Sequence, residues 1–443
     1  MYNKIGDLKD KFGLYVAIII VAIVLSFILY LLPITGVGNK EVIKIYYADN
    51  ISEAHRKIMD EFNRVNKGKI EVVAVDLPFT KFNTNERKEI LARALRSKSS
   101  VIDVFAVDHI WVARFSRWAE PLDSYFSKDE LDKVIPEALK TCYYEGVLYG
   151  MPIYFDIGLL YYRKDLVKKF ENLLSFDEDR NPIVTWDNIF EIKEKYFRDR
   201  PVYVFHGNDY EGLVCNLVEI YGGLGYSIEK LDKFNFRDSD IVNTFHFIKE
   251  LLDSGVSPRK VVEFDEIESW QYALTNDIPF FRGWPSFQVM TEIPGVDQSK
   301  IDNLGRTYVV FKKGTKPSPV IGGWNLMVSR YSPNKAAAVK FVKFVQQETS
   351  QWILRKEGEF LPVLKALYYK KEYTDLDPDL RFFGKYFKYG VQRPVHIKYT
   401  KISDIIASNL NLMLKNKISV DESILKIDEQ LKKIIRKDKE VLK

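Results

Sequence analysis

The order of apolar and polar residues predicts alternating strands and helices over the first quarter of the chain. The segment "EVIKIYYAD" at 41–49 mixes β-branched and aromatic residues as a strand does, and Ser52 then precedes a helix whose apolar stripe runs from Ile58 to Val65. A second strand, "KIEVVAVDLP", a helix over 86–97 and a third strand, "VIDVFAVD", follow. Right-handed crossovers turn this alternation into a parallel, doubly wound sheet, with ligands beyond the carboxyl ends of its strands.

Asp49, Asp76 and Asp108 are predicted to lie at those carboxyl ends. Residues 156–305 have a mostly helical pattern, which predicts a second lobe. Beyond it the pattern predicts a strand at "GRTYVVFKKG", one long amphipathic helix over 332–350 and a helical region over 402–441.

The most apolar stretch lies near the N-terminus, where 14–32, "LYVAIIIVAIVLSFILYLL", carries no charge. A helix of about 19 residues is long enough to cross roughly 30 Å of hydrocarbon. Lysines before this stretch favour a cytoplasmic 1–13, a membrane span at 14–32 and a tether at 33–40, with the remainder outside the cytoplasm. A cleaved signal peptide is the alternative, although no A-x-A cleavage pattern follows.

Composition excludes several functional classes. Of the 443 residues, 46% are hydrophobic and 29% are charged, which suffices for two domains. The net charge of +5 arises from mixed acids and bases without a basic stripe, so no nucleic-acid partner is expected. The two cysteines, Cys142 and Cys215, cannot form a four-thiolate zinc site. GxxxxGK[ST], HExxH and GxSxG motifs are absent, and no metal site or cofactor is expected.

A recurring local composition supplies the candidate chemistry: aromatic residues beside carboxylates, arginine or glycine. Tyr154 and Asp156 are two residues apart and share a face on extended backbone, while Trp284 and Trp324 each follow a glycine. Sugars fit such surroundings, because their C–H faces stack on aromatic rings and their hydroxyls bond to charged groups. A tryptophan alone is more often part of a core than a ligand platform, and we place Trp111, Trp118, Trp186 and Trp270 in the core or at the lobe surfaces, with Tyr161 and Tyr162 packing in a strand.

Seven segments in register resemble the extracytoplasmic solute-binding proteins of carbohydrate ABC importers, nearest the trehalose/maltose-binding group. The resemblance covers about 41–430 and is carried by "DVFAVDHIWVARF", "GVLYGMPIYFDIGLLYYRKDLV", "TWDNI", "GNDYEGL", "IPFFRGWPSF", "VIGGWNLMVSRYSPNKAAAVKFVKFV" and "RPVHIKYTKISDII". The chain departs from most bacterial relatives in lacking a lipobox cysteine after the apolar stretch, and Val363 and Leu364 replace a threonine and an arginine that are common there.

The resemblance implies an α/β, two-lobed periplasmic-binding-protein fold of type II, hinged, with the ligand cleft between the lobes. The apolar run 14–32 adds one N-terminal transmembrane helix before the lobes. Lobe one would comprise 41–152 plus 306–357, and lobe two 153–305 plus 358–443. The implied ligand contacts are Glu53, Arg87, Asp108, Tyr154, Asp156, Tyr210, Trp284, Gly323, Trp324 and Arg393. Trp284 and Trp324 would be stacking platforms, and Arg393 would grip sugar hydroxyls in a bidentate manner.

The implied function is capture of an oligosaccharide, such as maltose, trehalose or a related glucoside, by a membrane-anchored monomer that delivers it to the permease subunits of an ABC importer. No bond would be made or broken. Two alternatives stay open. One is a glycosidase whose acid and base are Asp108 and Asp156, or either of them with Glu53, and the other is a sensor that passes the sugar signal to a receptor.

Overall fold

The computed structural model of the chain describes residues 19–23, 26, 41–78, 81–82, 84–98, 100–233, 235–288, 296–394, 396 and 398–441. Residues 1–42 and 43–443 are two separate units. Of the predicted span 14–32, residues 19–23 and 26 are helical, and the remainder lies outside the described residues. Among the described residues, no helix is both long enough and apolar enough to span a bilayer.

The unit 43–443 contains two sheets, whose strands are numbered in chain order. They are β1 (Ile43–Asp49), β2 (Ile70–Asp76), β3 (Val104–Asp108), β4 (Met151–Ile157), β5 (Leu159–Arg163), β6 (Tyr203–Val204), β7 (Phe280–Gly283), β8 (Leu304–Thr307) and β9 (Ile321–Val328). The first sheet has the order β2-β1-β3-β9-β4, and the second has the order β6-β7-β5-β8. Two short pairs, Tyr143–Tyr144 with Val147–Leu148 and Ser175–Phe176 with Pro182–Ile183, lie outside them.

The first sheet is parallel where the predicted alternation operates and antiparallel elsewhere. β1 runs parallel to β2 and β3, which confirms that part of the prediction, but β9 runs antiparallel to β3 and to β4. The difference has a topological cause, because β9 enters the first sheet from the second one and is not the product of a strand–helix–strand crossover. As a result, residues from three neighbouring strands are aligned near Trp324.

The chain passes between the sheets at Gly158, the single residue that separates β4 from β5. Its N–H donates to the carbonyl of Val320 over 3.0 Å, and its carbonyl accepts from the hydroxyl of Tyr386 over 2.9 Å. A Cβ added to Gly158 would collide with the carboxylate of Glu219, so only glycine fits there. The chain returns through 308–320, between β8 and β9.

Helices flank both sheets. Those of eight or more residues are Glu53–Val65, Thr84–Arg96, Trp186–Tyr196, Glu211–Gly223, Ser239–Asp253, Glu266–Thr275, Lys335–Val345, Glu348–Gly358, Asp379–Tyr386, Tyr399–Leu414 and Val420–Val441. Shorter α-helices are Val112–Phe115, Lys128–Leu131, Pro136–Lys140, Lys164–Val167, Gln298–Asp302, Ala366–Tyr369 and Lys371–Thr374. The single helix predicted over 332–350 is wrong, since Lys335–Val345 ends where Gln346 donates its side-chain amide to the carbonyl of Pro152 over 2.7 Å.

The apolar stripes predicted from the sequence face the core, with one exception. Ile58 and Phe62 of the Glu53–Val65 helix are buried, whereas Val65, at the helix end, is 52% exposed. Trp111, Trp186 and Trp270 are buried as expected, and Trp118 is partly buried. Cys142 and Cys215 are both buried and are not joined by a disulfide.

Candidate functional site

The candidate site lies on three neighbouring strands of the first sheet, with β9 in the middle. β9 lies between β3 and β4, and Trp324 is directly opposite Asp108 on one side and Tyr154 on the other. Residues directly opposite each other in antiparallel strands project to the same face of a sheet. The predicted contacts Asp108, Tyr154 and Trp324 therefore form one row across three strands, although they are distant along the chain.

The indole of Trp324 is held by a cation and by a second indole. The guanidinium carbon of Arg87 lies 4.2 Å from the centre of the Trp324 ring. Trp111 meets the same ring edge-on, with centroids 6.2 Å apart and planes at 86°. Cation–π and T-shaped contacts each contribute about 0.5–2 kcal/mol, and together they fix the ring orientation.

Arg87 is itself oriented by the carboxylate at the end of β1. Asp49 accepts a hydrogen bond of 2.8 Å from Arg87 and one of 2.5 Å from the hydroxyl of Tyr47. Both members of the Arg87–Asp49 ion pair are almost fully buried. Buried charges persist only when they are paired in this way. Asp49 therefore fixes the orientation of the guanidinium of Arg87, which is one of the predicted ligand contacts.

The second sheet contributes Trp284, which follows β7. The Arg282 guanidinium stacks over this indole at 3.7 Å. Arg282 forms a bidentate pair with Glu219, with Nε–Oε2 3.1 Å and Nη2–Oε1 2.9 Å, and both residues are buried. Glu219 lies on the Glu211–Gly223 helix and also accepts from the N–H of Val320 over 3.1 Å. Trp284 is thus positioned by a rigid ion pair within the second sheet.

Two glycines of β9 allow close packing around Trp324, and the first of them brings Trp284 to the same face. A Cβ on Gly322 would lie 3.2 Å from the Trp284 ring and 3.1 Å from the Cβ of Asp156, so glycine allows this close approach. Gly323 has φ +135°, and its added Cβ would be 2.8 Å from the carbonyl oxygen of Tyr154. Gly323 is required by the packing of β4 against β9, where the register shifts by a bulge after Trp324.

Arg393 joins elements of both sheets. Its Nη2 donates to Asp108, at the end of β3, over 3.0 Å, and its Nη1 donates over 2.8 Å to Glu211, at the start of the Glu211–Gly223 helix. Glu211 also accepts from the hydroxyl of Tyr399 over 2.8 Å and from that of Ser403. In this structure the Arg393 fork is therefore engaged by two carboxylates, where the sequence predicted a grip on sugar hydroxyls.

Two carboxyls beside the indoles have raised pKa values. Burial raises the pKa of Asp156 to about 8, although the neighbouring Arg282 lowers it, and Asp108 and Glu266 add to the increase. Burial likewise raises the pKa of Glu266 to about 7. Near neutral pH these groups hold protons for part of the time, so they can donate as well as accept hydrogen bonds. Hydroxyl ligands need both kinds of partner.

The raised pKa of Asp156 predicts that Asp156→Asn stabilises the protein by an amount that depends on pH. The folded protein retains a proton that the unfolded chain loses above pH ~4, so this group lowers stability as the pH rises towards 8. We expect Asp156→Asn to raise Tm by about 2 °C or more at roughly pH 8.5 and to have a smaller effect at roughly pH 5. Thermal unfolding at the two pH values checks this, with exposed Asp60→Asn as control. Equal effects of Asp156→Asn at both values would contradict it.

A solvent-filled groove of 840 Å³ opens beside this cluster. Its lining includes Asn85, Asp209, Tyr210, Lys401 and Asp404, so helices of both sheets contribute to it. Asn85 lies two residues before Arg87 on the Thr84–Arg96 helix, and Tyr210 immediately precedes Glu211. A ligand held at the indoles could extend into this groove.

The sequence also matches a known family model. Residues 48–352, well over half of the chain, match the model described as "Bacterial extracellular solute-binding protein". The chain belongs to this family. It is therefore an extracytoplasmic binding protein and not an enzyme.

Three similar proteins illustrate the relationship of this solute-binding protein to others. A probable ABC transporter-binding protein of Deinococcus radiodurans is 25% identical over 367 residues, which are 79% of this chain and 84% of the relative. The maltotriose-binding protein of Pyrococcus abyssi is 23% identical over 335 residues, covering 73% and 68%. The solved structure of maltose-bound T. maritima MalE3 has a TM-score of 0.77 at 24% identity, covering 89% and 100%. The fold of this solute-binding protein is accordingly the two-lobed, mixed α/β fold of periplasmic binding proteins.

The structure brings most of the predicted contacts together. Asp108, Tyr154 and Trp324 share the row on the first sheet, and Asp156 lies beside it, opposite Gly322. Arg87, Trp284 and Arg393 contact that row or its neighbours. Tyr210 lies on the adjoining groove. Glu53 is exposed at the first position of its helix, and Gly323 is engaged in strand packing.

Sequence reasoning missed the charged groups that hold the predicted contacts in place. These are Asp49, Glu211, Glu219 and Arg282. Asp49 was recognised as a strand-end residue, and Arg282 lies inside the segment "FFRGWPS", so local signals existed for both. Glu211 likewise lies inside the segment "GNDYEGL". Glu219 gains its significance only from Arg282, which is far away in sequence, and no local signal identifies it.

Proposed function

We propose that this solute-binding protein captures an oligosaccharide, such as maltose, trehalose or a related glucoside, outside the cytoplasm and delivers it to the permease subunits of an ABC importer. One observation carries the proposal: two indoles, each stacked by a buried arginine, lie at one face of β9 beside Asp108 and Asp156. Stacking surfaces with charged hydrogen-bonding groups are what a sugar requires. The sugars bound by the Pyrococcus and T. maritima proteins agree with this substrate class.

The proposed division into lobes follows the two sheets, with the hinge at Gly158 and at 308–320. The bounds predicted from the sequence are 41–152 plus 306–357 for lobe one and 153–305 plus 358–443 for lobe two. Two changes make them follow the sheets: all of β4 is placed in lobe one, and all of β8 in lobe two. Rotation about the hinge would separate Trp284 from β9 and expose both indoles to solvent. Ligand binding between the lobes would then favour the closed form.

The proposal includes attachment to the membrane as a monomer through residues 14–32. The support is the uncharged apolar run in the sequence and the lack of a lipobox cysteine. In this arrangement the helix replaces a lipid anchor. Membrane fractionation would test the attachment. The native protein should stay in the membrane fraction during an alkaline carbonate wash, and detergent should extract it.

We expect tryptophan emission to change on addition of maltose, maltotriose or trehalose, because closure alters the surroundings of Trp284 and Trp324. Titration of the purified protein by fluorescence, together with calorimetry for the heat of binding, measures this. Chromatography of the sugar recovered afterwards should return it unchanged, which distinguishes binding from hydrolysis. The proposal fails if neither emission nor heat changes for a panel of glucosides of one to seven units.

A further inference from the structure

A cluster of cations surrounds a surface cavity outside the indole cluster. The cavity has a volume of 350 Å³, and five of its lining residues are basic: Arg96, Arg114, Arg117, Lys398 and Lys401. Glu89 and Asp404 are the acids among the lining residues. We call this cavity and its five cations the basic groove. Its formal charge is positive by three units, whereas the whole chain, with 66 basic residues, carries only +5.

The acids neutralise the basic groove only in part. Glu89 is already paired with Arg114 over 3.0 Å. Burial raises the pKa of Asp404, and Lys88 opposes that increase. Within the described part of the chain, Arg96 and Lys401 form no ion pair. Arg117 lies over the Trp118 ring at 5.5 Å, so an apolar surface borders the charges.

The cations come from both lobes. Arg96 ends the Thr84–Arg96 helix, and Arg114 and Arg117 follow β3, so these three belong with the first sheet. Lys401 lies on the Tyr399–Leu414 helix, which is tied to the second sheet because Tyr399 bonds to Glu211 on the Glu211–Gly223 helix. Separation of the lobes would divide the cations into two groups, and only the closed form has them around one cavity.

We propose that the basic groove is a docking site for an acidic peptide segment of the membrane partner. This segment would bind the closed form of the protein more tightly than the open form. The proposal rests on the proposed function, since delivery requires a partner that distinguishes the closed form from the open one. Five cations around an open, solvent-accessible cavity attract a run of carboxylates, and Trp118 accommodates an apolar residue beside them. An acidic segment that contacts both groups of cations gains its full attraction only after closure.

The test uses a fluorescent peptide of eight glutamates with one leucine and the full-length protein, and it measures anisotropy at low salt. The charge reversals Arg96→Glu with Arg117→Glu, and separately Lys398→Glu with Lys401→Glu, are each expected to weaken peptide binding at least tenfold. The matched control is Lys67→Glu with Lys69→Glu, which makes the same charge change at an exposed turn. This control should remain within twofold of the unmodified protein. Raising the salt to about 300 mM should weaken binding, as expected for screened charges.

Three results would overturn the proposal. Equal losses in the control and in the groove variants would indicate attraction to net charge alone. If only one pair of reversals weakened peptide binding, the peptide would not depend on cations from both lobes, and the groove would not distinguish the closed form from the open one. Competition by millimolar inorganic phosphate would indicate a small-anion site. Sugar titration separates this proposal from the proposed function. The Arg96→Glu with Arg117→Glu variant should bind sugar normally, since neither residue lines the 840 Å³ groove beside the indoles. Failure of sugar binding in the unmodified protein concerns the indole cluster only.

Discussion

Replacing Arg393 by methionine is expected to lower the free energy of unfolding by about 3–5 kcal/mol. The substitution keeps an unbranched, largely apolar side chain, although a shorter one, and removes the charge. Asp108 and Glu211 would then be buried without their common cation, and their remaining donors are the hydroxyls of Tyr399 and Ser403 and the N–H of Ile110. Two carboxylates left close together in an apolar environment repel each other and are poorly solvated.

The measurement is urea unfolding followed by circular dichroism, supported by thermal unfolding. Arg381→Met is a matched control, because Arg381 also pairs with an aspartate, Asp375, at 2.5 Å but with both side chains more than half exposed. This control should cost no more than about 1 kcal/mol. Adding Glu211→Gln to Arg393→Met should recover part of the lost stability, since it removes one of the unpaired charges. Equal losses for Arg393→Met and Arg381→Met would contradict the role of Arg393 as a buried link between the lobes.

The ends of the strands could be predicted from the sequence, but the pairing of distant strands could not. The strand ends at Asp49, Asp76 and Asp108 were predicted correctly, because a run of β-branched and apolar residues followed by a carboxylate is a local signal. The antiparallel insertion of β9 was not predictable in the same way, because its partners β3 and β4 lie more than 150 residues earlier. Periodicity determines which residues share a face of an element, but it does not determine which strands are neighbours.

The long helix predicted over 332–350 illustrates the same limit. Apolar residues recur at helical spacing through Val342 and Val345 and continue to Ile353, so the pattern alone favours one helix. The interruption at Gln346 depends on a bond from its side chain to the carbonyl of Pro152 in the first sheet. Such a contact belongs to the tertiary structure and overrides a local preference that is worth only a fraction of 1 kcal/mol per residue.

Within the candidate site, residue types were predicted more successfully than roles. Arg393 was chosen for its guanidinium fork, and the fork is present, but it contacts Asp108 and Glu211, which are 285 and 182 residues away in sequence. Gly323 was predicted to be a ligand contact, whereas its positive φ and its closeness to the Tyr154 carbonyl explain the glycine through the backbone. The chemistry of a residue is local, but its partner depends on the complete fold.

Trp324→Ala is expected to weaken oligosaccharide binding at least tenfold, about 1.4 kcal/mol, if the indole is a stacking platform. The loss combines two effects. The sugar loses the flat apolar surface of the ring, and Arg87 loses the cation–π contact at 4.2 Å that helps to orient it. Removal of a ring that is only 7% exposed also leaves a cavity, which lowers stability by about 3–5 kcal/mol.

Trp324→Leu separates the two effects, because leucine fills part of the cavity but offers no aromatic face. Calorimetric titration of both variants with maltose and maltotriose, after circular dichroism has established folding, should give the same loss of affinity for leucine as for alanine, with a smaller loss of stability for leucine. Trp352→Ala is the control, since Trp352 contacts Tyr373 and Lys356 on the Glu348–Gly358 side of the molecule and has no contact with the row on β9. A folded Trp324→Leu variant with unchanged affinity would show that the ring is only a packing element of β9, and the stacking surface for the sugar would then have to be provided by Trp284 alone.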